Sequence, residues 1–300
     1  MNVFAPDDVD FAAYEWQTDC KAKLRTAASY AEQLAAAIEP KAKEVAPGVF
    51  SLKLRNLLRF RDGEVTAWAG YSGHRKSMLT GQIGLELSMQ KLPTAVISLE
   101  MPPADTLARM LRQHAGTDKA RDLARFFDAT QSMWLFDHVG RLTPHQTLAV
   151  CRYFAEQHGG RQVFIDSFMM VVSSEEKLDE QKQFATDLVR MAQETGLHVH
   201  LVCHCRKPQS GLEDKPPGKH DLRGTSAITD QAHNVVTVWA NKEKERRLQE
   251  NEHDPIRDEP DAAVTVCKQR NGQFEGRIKL WFDKASMRFT DTLAAEVEPW

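Results

Sequence analysis

The stretch Glu64-Val65-Thr66-Ala67-Trp68-Ala69 followed by Gly70-Tyr71-Ser72-Gly73-His74-Arg75-Lys76-Ser77 decides the fold. A short apolar, β-branched run passes through a glycine-bearing loop into a helical pattern. The loop keeps the Walker A spacing G-x-x-x-x-G-K-S, with Arg75 where the second glycine belongs. A loop set between a strand and a helix N-terminus aims successive backbone N–H groups at phosphates. Lys76 is expected to neutralise the β- and γ-phosphates of ATP, and the Ser77 hydroxyl to ligate Mg²⁺. Gly70, Ser72, Gly73, His74 and Arg75 supply the rest of the cradle. Glycine at position 75 would let the backbone crowd the phosphates, so an arginine there must point away, bind phosphate itself or impair turnover.

Working outward, apolar segments alternate with helical ones. Strands are predicted at 64–69, 94–99, 163–166, 199–203, 235–239, 263–267 and 277–282. Helical stretches at 76–90, 104–114, 144–158 and 181–195 lie among the first four. Such alternation predicts an α/β fold with a mainly parallel sheet covered on both faces. The last three strands follow turns and a charged insertion at 242–261, which suggests hairpins closing the sheet. That insertion reads as a solvated loop. Ahead of the core, apolar positions recur at helical spacing over 11–38, predicting an amphipathic helix that packs on its own domain or docks on a neighbouring subunit. The chain therefore divides into a helical linker, 1–50, and a nucleotide-binding core, 51–300.

Two carboxylates follow predicted strands. Val163-Phe164-Ile165-Asp166 has the Walker B pattern, with Asp166 suited to hold Mg²⁺ directly or through water. Glu100 ends the 95–99 run, where a carboxylate can act as general base toward the attacking water. As a bland alternative, each starts a turn or a helix. His198, His200, Cys203, His204 and Cys205 lack the paired spacing of structural zinc, so no metal site is expected there.

The 300 residues, 42% hydrophobic and 27% charged, can bury one sizeable core. No apolar run approaches the about 18 residues of a membrane span, and the first ten residues carry no leader-like pattern. The five cysteines form no disulfide framework, which favours a reducing, cytoplasmic setting. A net charge of −3 gives no global attraction for nucleic acid, so any such binding needs local clusters.

Ser98-Leu99-Glu100-Met101, Asp221-Leu222-Arg223-Gly224-Thr225-Ser226-Ala227-Ile228 and Lys268-Gln269-Arg270-Asn271-Gly272 resemble, in this order, motifs of DnaB-type replicative helicases. Cys203-His204-Cys205-Arg206-Lys207-Pro208 is closer to the phage primase–helicases and mitochondrial Twinkle. The resemblance runs from residue 50 to residue 290 or so. It implies a RecA-like P-loop NTPase core in a hexameric ring, with ATP and Mg²⁺ between subunits, single-stranded DNA in the channel and 5′→3′ movement. By matching position it makes Glu100 the catalytic base, Asp166 the Walker B acid and His204 the γ-phosphate sensor. Lys268 and Arg270 would reach a neighbour's site, Arg270 as arginine finger. A primase or a helicase loader is an implied partner, and a phage gene expressed in a bacterial host is one implied source. The residues before 50 leave no room for a primase or a full amino-terminal collar, so priming is not expected.

Arg206, Lys207, Lys215, Lys219 and Arg223 lie in or beside one Pro/Gly-rich loop, 205–224. Loop charges are ordinarily only solvated. In a ring, copies of this loop would line the hole and meet DNA phosphates without reading sequence. Rival functions are a RecA-like recombination ATPase, and a nucleotide-binding ring or loading partner with impaired hydrolysis, the latter motivated by Arg75.

Overall fold

The computed structural model describes residues 2–4, 10, 51–116, 122–172, 177–208, 213–224 and 226–293. The amphipathic helix expected over 11–38 lies outside them. The strands are β1 (Asn2–Phe4), β2 (Val65–Gly70), β3 (Thr94–Ser98), β4 (Met133–Phe136), β5 (Gln162–Asp166), β6 (His198–His204), β7 (Asn234–Ala240), β8 (Ala262–Gln269), β9 (Gly276–Asp283) and β10 (Arg288–Thr290). The helices are α1 (Leu52–Leu57), α2 (Lys76–Met89), α3 (Pro103–Ala115), α4 (Leu123–Ala129), α5 (Pro144–His158), α6 (Phe168–Val171), α7 (Leu178–Thr195), α8 (Ala227–Gln231) and α9 (Lys242–Glu250). Residues 2–4, assigned from the sequence to a helical linker, instead pair as a strand with β4.

The sheet order is β1-β4-β3-β5-β6-β2-β7-β8-β9-β10. The strands from β1 to β7 in that order run parallel, and β8, β9 and β10 are antiparallel to their neighbours. The expected parallel core with a hairpin flank is thus present. Alternation along β2 sends Ala67 and Ala69 to the core on one face and Trp68 to the core on the other. Phe154, Ile165, Phe184 and Leu188 fill the first core, and Leu79, Ile83, Phe126 and Leu280 the second. Cutting one such residue to alanine costs about 2–5 kcal/mol.

Local chemistry sets the helix limits. The Thr143 hydroxyl accepts from Gln146 N while Gln146 Oε1 accepts from Thr143 N, a capping box with Pro144 at the first turn of α5. Gly159 and Gly196 end α5 and α7 in left-handed conformation. The 242–261 insertion is a correction to the sequence reading: it forms α9 and a 3₁₀ turn at Pro255–Asp258 rather than a loop. Ion pairs replace the missing apolar stripe. Arg246 pairs with Glu243 and Glu250, each at 2.7 Å, and the buried Lys244 reaches Asp261 at 2.8 Å. The Asn241 side chain caps the helix by accepting from Lys244 N.

Strands too short to carry a pattern were not foreseen. β10 is held by Gln82 on α2, whose amide donates to Phe289 O and accepts from Phe289 N. β4 is a four-residue strand packed beside β3.

Candidate active site

Because β2, β3, β5 and β6 are parallel, their carboxyl ends meet at one edge of the sheet. In open α/β sheets this is where ligands bind. Gly70 stands level with His204, and Ser98 with Asp166. The phosphate loop, Glu100, Asp166 and His204, read separately from the sequence, are therefore brought together.

The loop has the backbone a phosphate cradle needs. A Cβ on Gly70 would come within 2.4 Å of Val238 O, so only glycine fits there. Gly73 has φ +76° and open space around its Cα. Lys76 opens α2 and is 5% exposed; its Nζ donates to Tyr71 O at 2.8 Å and lies 3.5 Å from His204 Nδ1. Burial lowers the Lys76 pKa, with Asp166 foremost among the groups opposing that shift. Ser77 is exposed and its hydroxyl hydrogen-bonds to Asp166. Burial raises the Asp166 pKa, and the Ser77 hydrogen bond offsets it only in part. A hydroxyl and a carboxylate in contact beside a phosphate loop are a donor set suited to Mg²⁺.

Glu100 follows β3 with its side chain 49% exposed. His204 Nε2, 3.7 Å from Glu100 Oε1, is the largest influence holding that carboxyl down at about 2, and the 2.6 Å hydrogen bond from Ser167 Oγ adds to it. Glu100 is therefore ionised at neutral pH, as a base must be. Ser167 was missed from the sequence although it directly follows Asp166. His204 touches both Lys76 and Glu100.

Arg75 has φ 61° and ψ 26°, the left-handed conformation that glycine would adopt there. Its guanidinium pairs with Glu245 on α9 at 2.5 Å and lies 4.1 Å from the centre of the Phe282 ring. It is engaged by α9 and β9 rather than by Lys76. His74 is buried rather than presented to a ligand: Ala240 N donates to its Nδ1, and its Nε2 is 2.8 Å from Glu213 Oε2. Ser72 helps line a cleft of about 360 Å³ with His204, Arg206, Lys207, Glu213 and Arg223.

The 205–224 loop leaves β6 at this same edge. Its described residues carry Arg206, Lys207, Lys215, Lys219 and Arg223, all exposed. Of its three carboxylates, Glu213 meets His74 and Asp221 accepts from Gly218 N. Cys205 bridges to Leu222, and Arg223 N donates to His204 O at 2.8 Å.

Lys268 and Arg270 lie elsewhere. Lys268 Nζ donates to Thr229 O and Asp230 O near the end of α8. Asn271 donates to the buried Glu64, fixing the turn. Arg270 N donates to His233 O, and His233 N to Val65 O, which sets Arg270 level with the start of β2. Gly70 lies at the other end of that strand, roughly 17 Å away at the usual rise. His198 and His200 serve the core: His198 meets Thr66 Oγ1, and His200 stacks on Phe164 with ring centres 4.0 Å apart.

A central strand running into a phosphate loop, with carboxylates at two neighbouring strand ends, defines a P-loop nucleotide-binding protein. The chain belongs to the DnaB-like helicase C-terminal domain family, whose model matches residues 53–291. It is 24% identical over 226 residues to the replicative DNA helicase DnaB of Haemophilus influenzae, covering 69% of this chain and 46% of that protein. It is 23% identical over 186 residues to the DNA helicase/primase of Enterobacteria phage T3, covering 60% of this chain and 32% of that one. The chain thus spans half or less of these curated relatives. The solved ATPase domain of G40P superposes with TM-score 0.71 at 17% identity, over 89% of this chain and 98% of that one. A DnaB-like replicative helicase solved for its interactions with primase gives 0.69 at 16% identity, over 93% and 69%. The fold is the RecA-like one of these ATPase domains.

Proposed function

We propose that this chain is the motor core of an ATP-driven hexameric helicase that translocates on single-stranded DNA during replication. One observation carries the reading: the strand that brings His204 between Lys76 and Glu100 continues directly into the basic 205–224 loop. A nucleotide site and a strand-gripping loop then share one short lever.

Lys76 and the loop amides hold the ATP phosphates, and Ser77 and Asp166 hold Mg²⁺. The bound metal supplies charge neutralisation at the transferring phosphoryl group. Glu100 accepts the proton of the attacking water, and Ser167 and His204 orient its carboxylate. His204 reports the state of the γ-phosphate to the loop through its backbone bond with Arg223. Arg206, Lys207, Lys215, Lys219 and Arg223 contact phosphates of the strand, not base edges. Arg270 serves a neighbouring subunit as arginine finger, supported by its distance from its own phosphate loop, and Lys268 reaches toward the same neighbouring site. Movement 5′→3′ and a loader as partner rest on the family resemblance alone, and a primase as partner is also supported by likeness to a helicase solved for its interactions with primase.

Lys76→Ala and Glu100→Gln separate the roles. Lys76→Ala is expected to abolish ATP hydrolysis, and Glu100→Gln to bind nucleotide without turnover. Wild-type turnover in the first, or loss of nucleotide binding in a folded second, would overturn the site.

A further inference from the structure

His74 is the buried imidazole of the phosphate loop, and both its hydrogen-bond partners lie far away in the sequence. It is 1% exposed although Ser72 and Gly73 beside it are exposed. Both ring nitrogens are engaged. Ala240 N–H donates to Nδ1 at 3.0 Å, so Nδ1 carries the lone pair and the proton sits on Nε2. That N–H then donates to Glu213 Oε2 at 2.8 Å. Tyr71 closes the pocket edge-on, its ring centre 5.2 Å from that of His74. Burial lowers the imidazole pKa and Glu213 opposes it, with the net shift downward, so the ring is neutral and the hydrogen bond to the carboxylate is charge-assisted.

The partner sits within the basic loop. Glu213 O accepts from Trp239 Nε1 at 2.8 Å, and Pro217 O accepts from Thr237 Oγ1 at 2.8 Å, so this part of the loop lies along β7. At the base of the loop, Cys205 N donates to Gly70 O, Arg206 N to Asp221 O and Arg223 N to His204 O. Those joints are backbone extensions of the sheet. The His74–Glu213 joint links two side chains and can open or shift without unravelling a strand. It attaches the middle of the loop to the residue two before Lys76.

We propose that His74 and Glu213 form a latch that transmits strand binding by the 205–224 loop to the phosphate loop, with His74 as a positioning residue for Lys76 and Ser77. The proposal rests on the reading of that loop as the DNA grip. When the loop closes on phosphates, Glu213 moves with it and draws on His74, resetting the amides that follow. Without the carboxylate the loop still binds DNA, but the phosphate loop no longer responds.

The test measures oligo(dT) affinity and ATP turnover with and without oligo(dT) for the unsubstituted chain, Glu213→Ala and Glu213→Gln, with thermal melts to verify folding. For Glu213→Ala, oligo(dT) affinity is expected to stay close to that of the unsubstituted chain, while stimulation, the ratio of turnover with oligo(dT) to turnover without it, falls about fivefold or more. Glu213→Gln, whose amide oxygen still accepts the Nε2 proton, should recover most of the stimulation. Full stimulation in Glu213→Ala overturns the latch while leaving the grip standing. Equal loss in both variants overturns it too, because the hydrogen bond is then not what transmits. Failure of the unsubstituted chain to bind oligo(dT) overturns the reading of the loop, and the latch with it.

Discussion

Replacing Arg75 by glycine isolates the one departure from the phosphate-loop pattern, and its contacts set the size of the effect. Relief of the left-handed backbone is worth roughly 1–2 kcal/mol to an L residue. Against it stands the 2.5 Å pair with Glu245, between side chains 16% and 23% exposed. Such a pair contributes up to about 1 kcal/mol. The guanidinium over Phe282 adds about 0.5–1 kcal/mol. Glycine costs about 0.5–1 kcal/mol in chain entropy. At the middle of these ranges the sum is a net loss of roughly 0.5 kcal/mol, lowering the melting midpoint by about 1–2 °C for a domain of this size. Thermal and urea unfolding of the nucleotide-free protein measure it. Since α9 and β9 hold the side chain away from Lys76, turnover at saturating ATP should change by less than about threefold, under roughly 0.7 kcal/mol of barrier. Stabilisation by more than about 1 kcal/mol would mean that Glu245 and Phe282 contribute nothing. A tenfold or larger rise in turnover, about 1.4 kcal/mol, would mean that Arg75 obstructs the phosphates after all.

The remaining predictions concern the grip and the neighbour. Replacing Arg206, Lys207 and Lys219 together with alanine should weaken single-strand binding alike for all sequences. It should also flatten the slope of log affinity on log salt by about 2, at roughly 0.7 per lost contact. Unchanged affinity and slope would make these charges ordinary solvated ones. Mixing Arg270→Ala with Lys76→Ala subunits should recover some ATP turnover, because one kind of interface then keeps both intact halves. No recovery in verified mixed rings would return Arg270 to a role within its own subunit.

Strand ends were legible because short continuous apolar runs, buried on both faces, mark where a strand stops, and parallel pairing carries those stops to one edge. Glu100 and Asp166 follow from those stops, Gly70 from the spacing of the phosphate loop and His204 from the family resemblance. What stayed hidden depends on contacts between distant residues. His74 reads as one more member of a phosphate loop, yet its imidazole is spent on Ala240 and Glu213. α9 gives no apolar periodicity, since Glu243, Arg246 and Glu250 stabilise one another by charge. β10 is three residues long, pairs with β9 on one side and is held on the other by the Gln82 amide at Phe289.

Unwinding of a forked duplex by this chain, with Lys76→Ala alongside, tests the central claim most directly. Strand displacement should require ATP and a single-stranded tail, and should vanish in Lys76→Ala although the variant still folds. ATP turnover stimulated by single-stranded DNA without any strand displacement, or displacement undiminished in Lys76→Ala, would contradict the account.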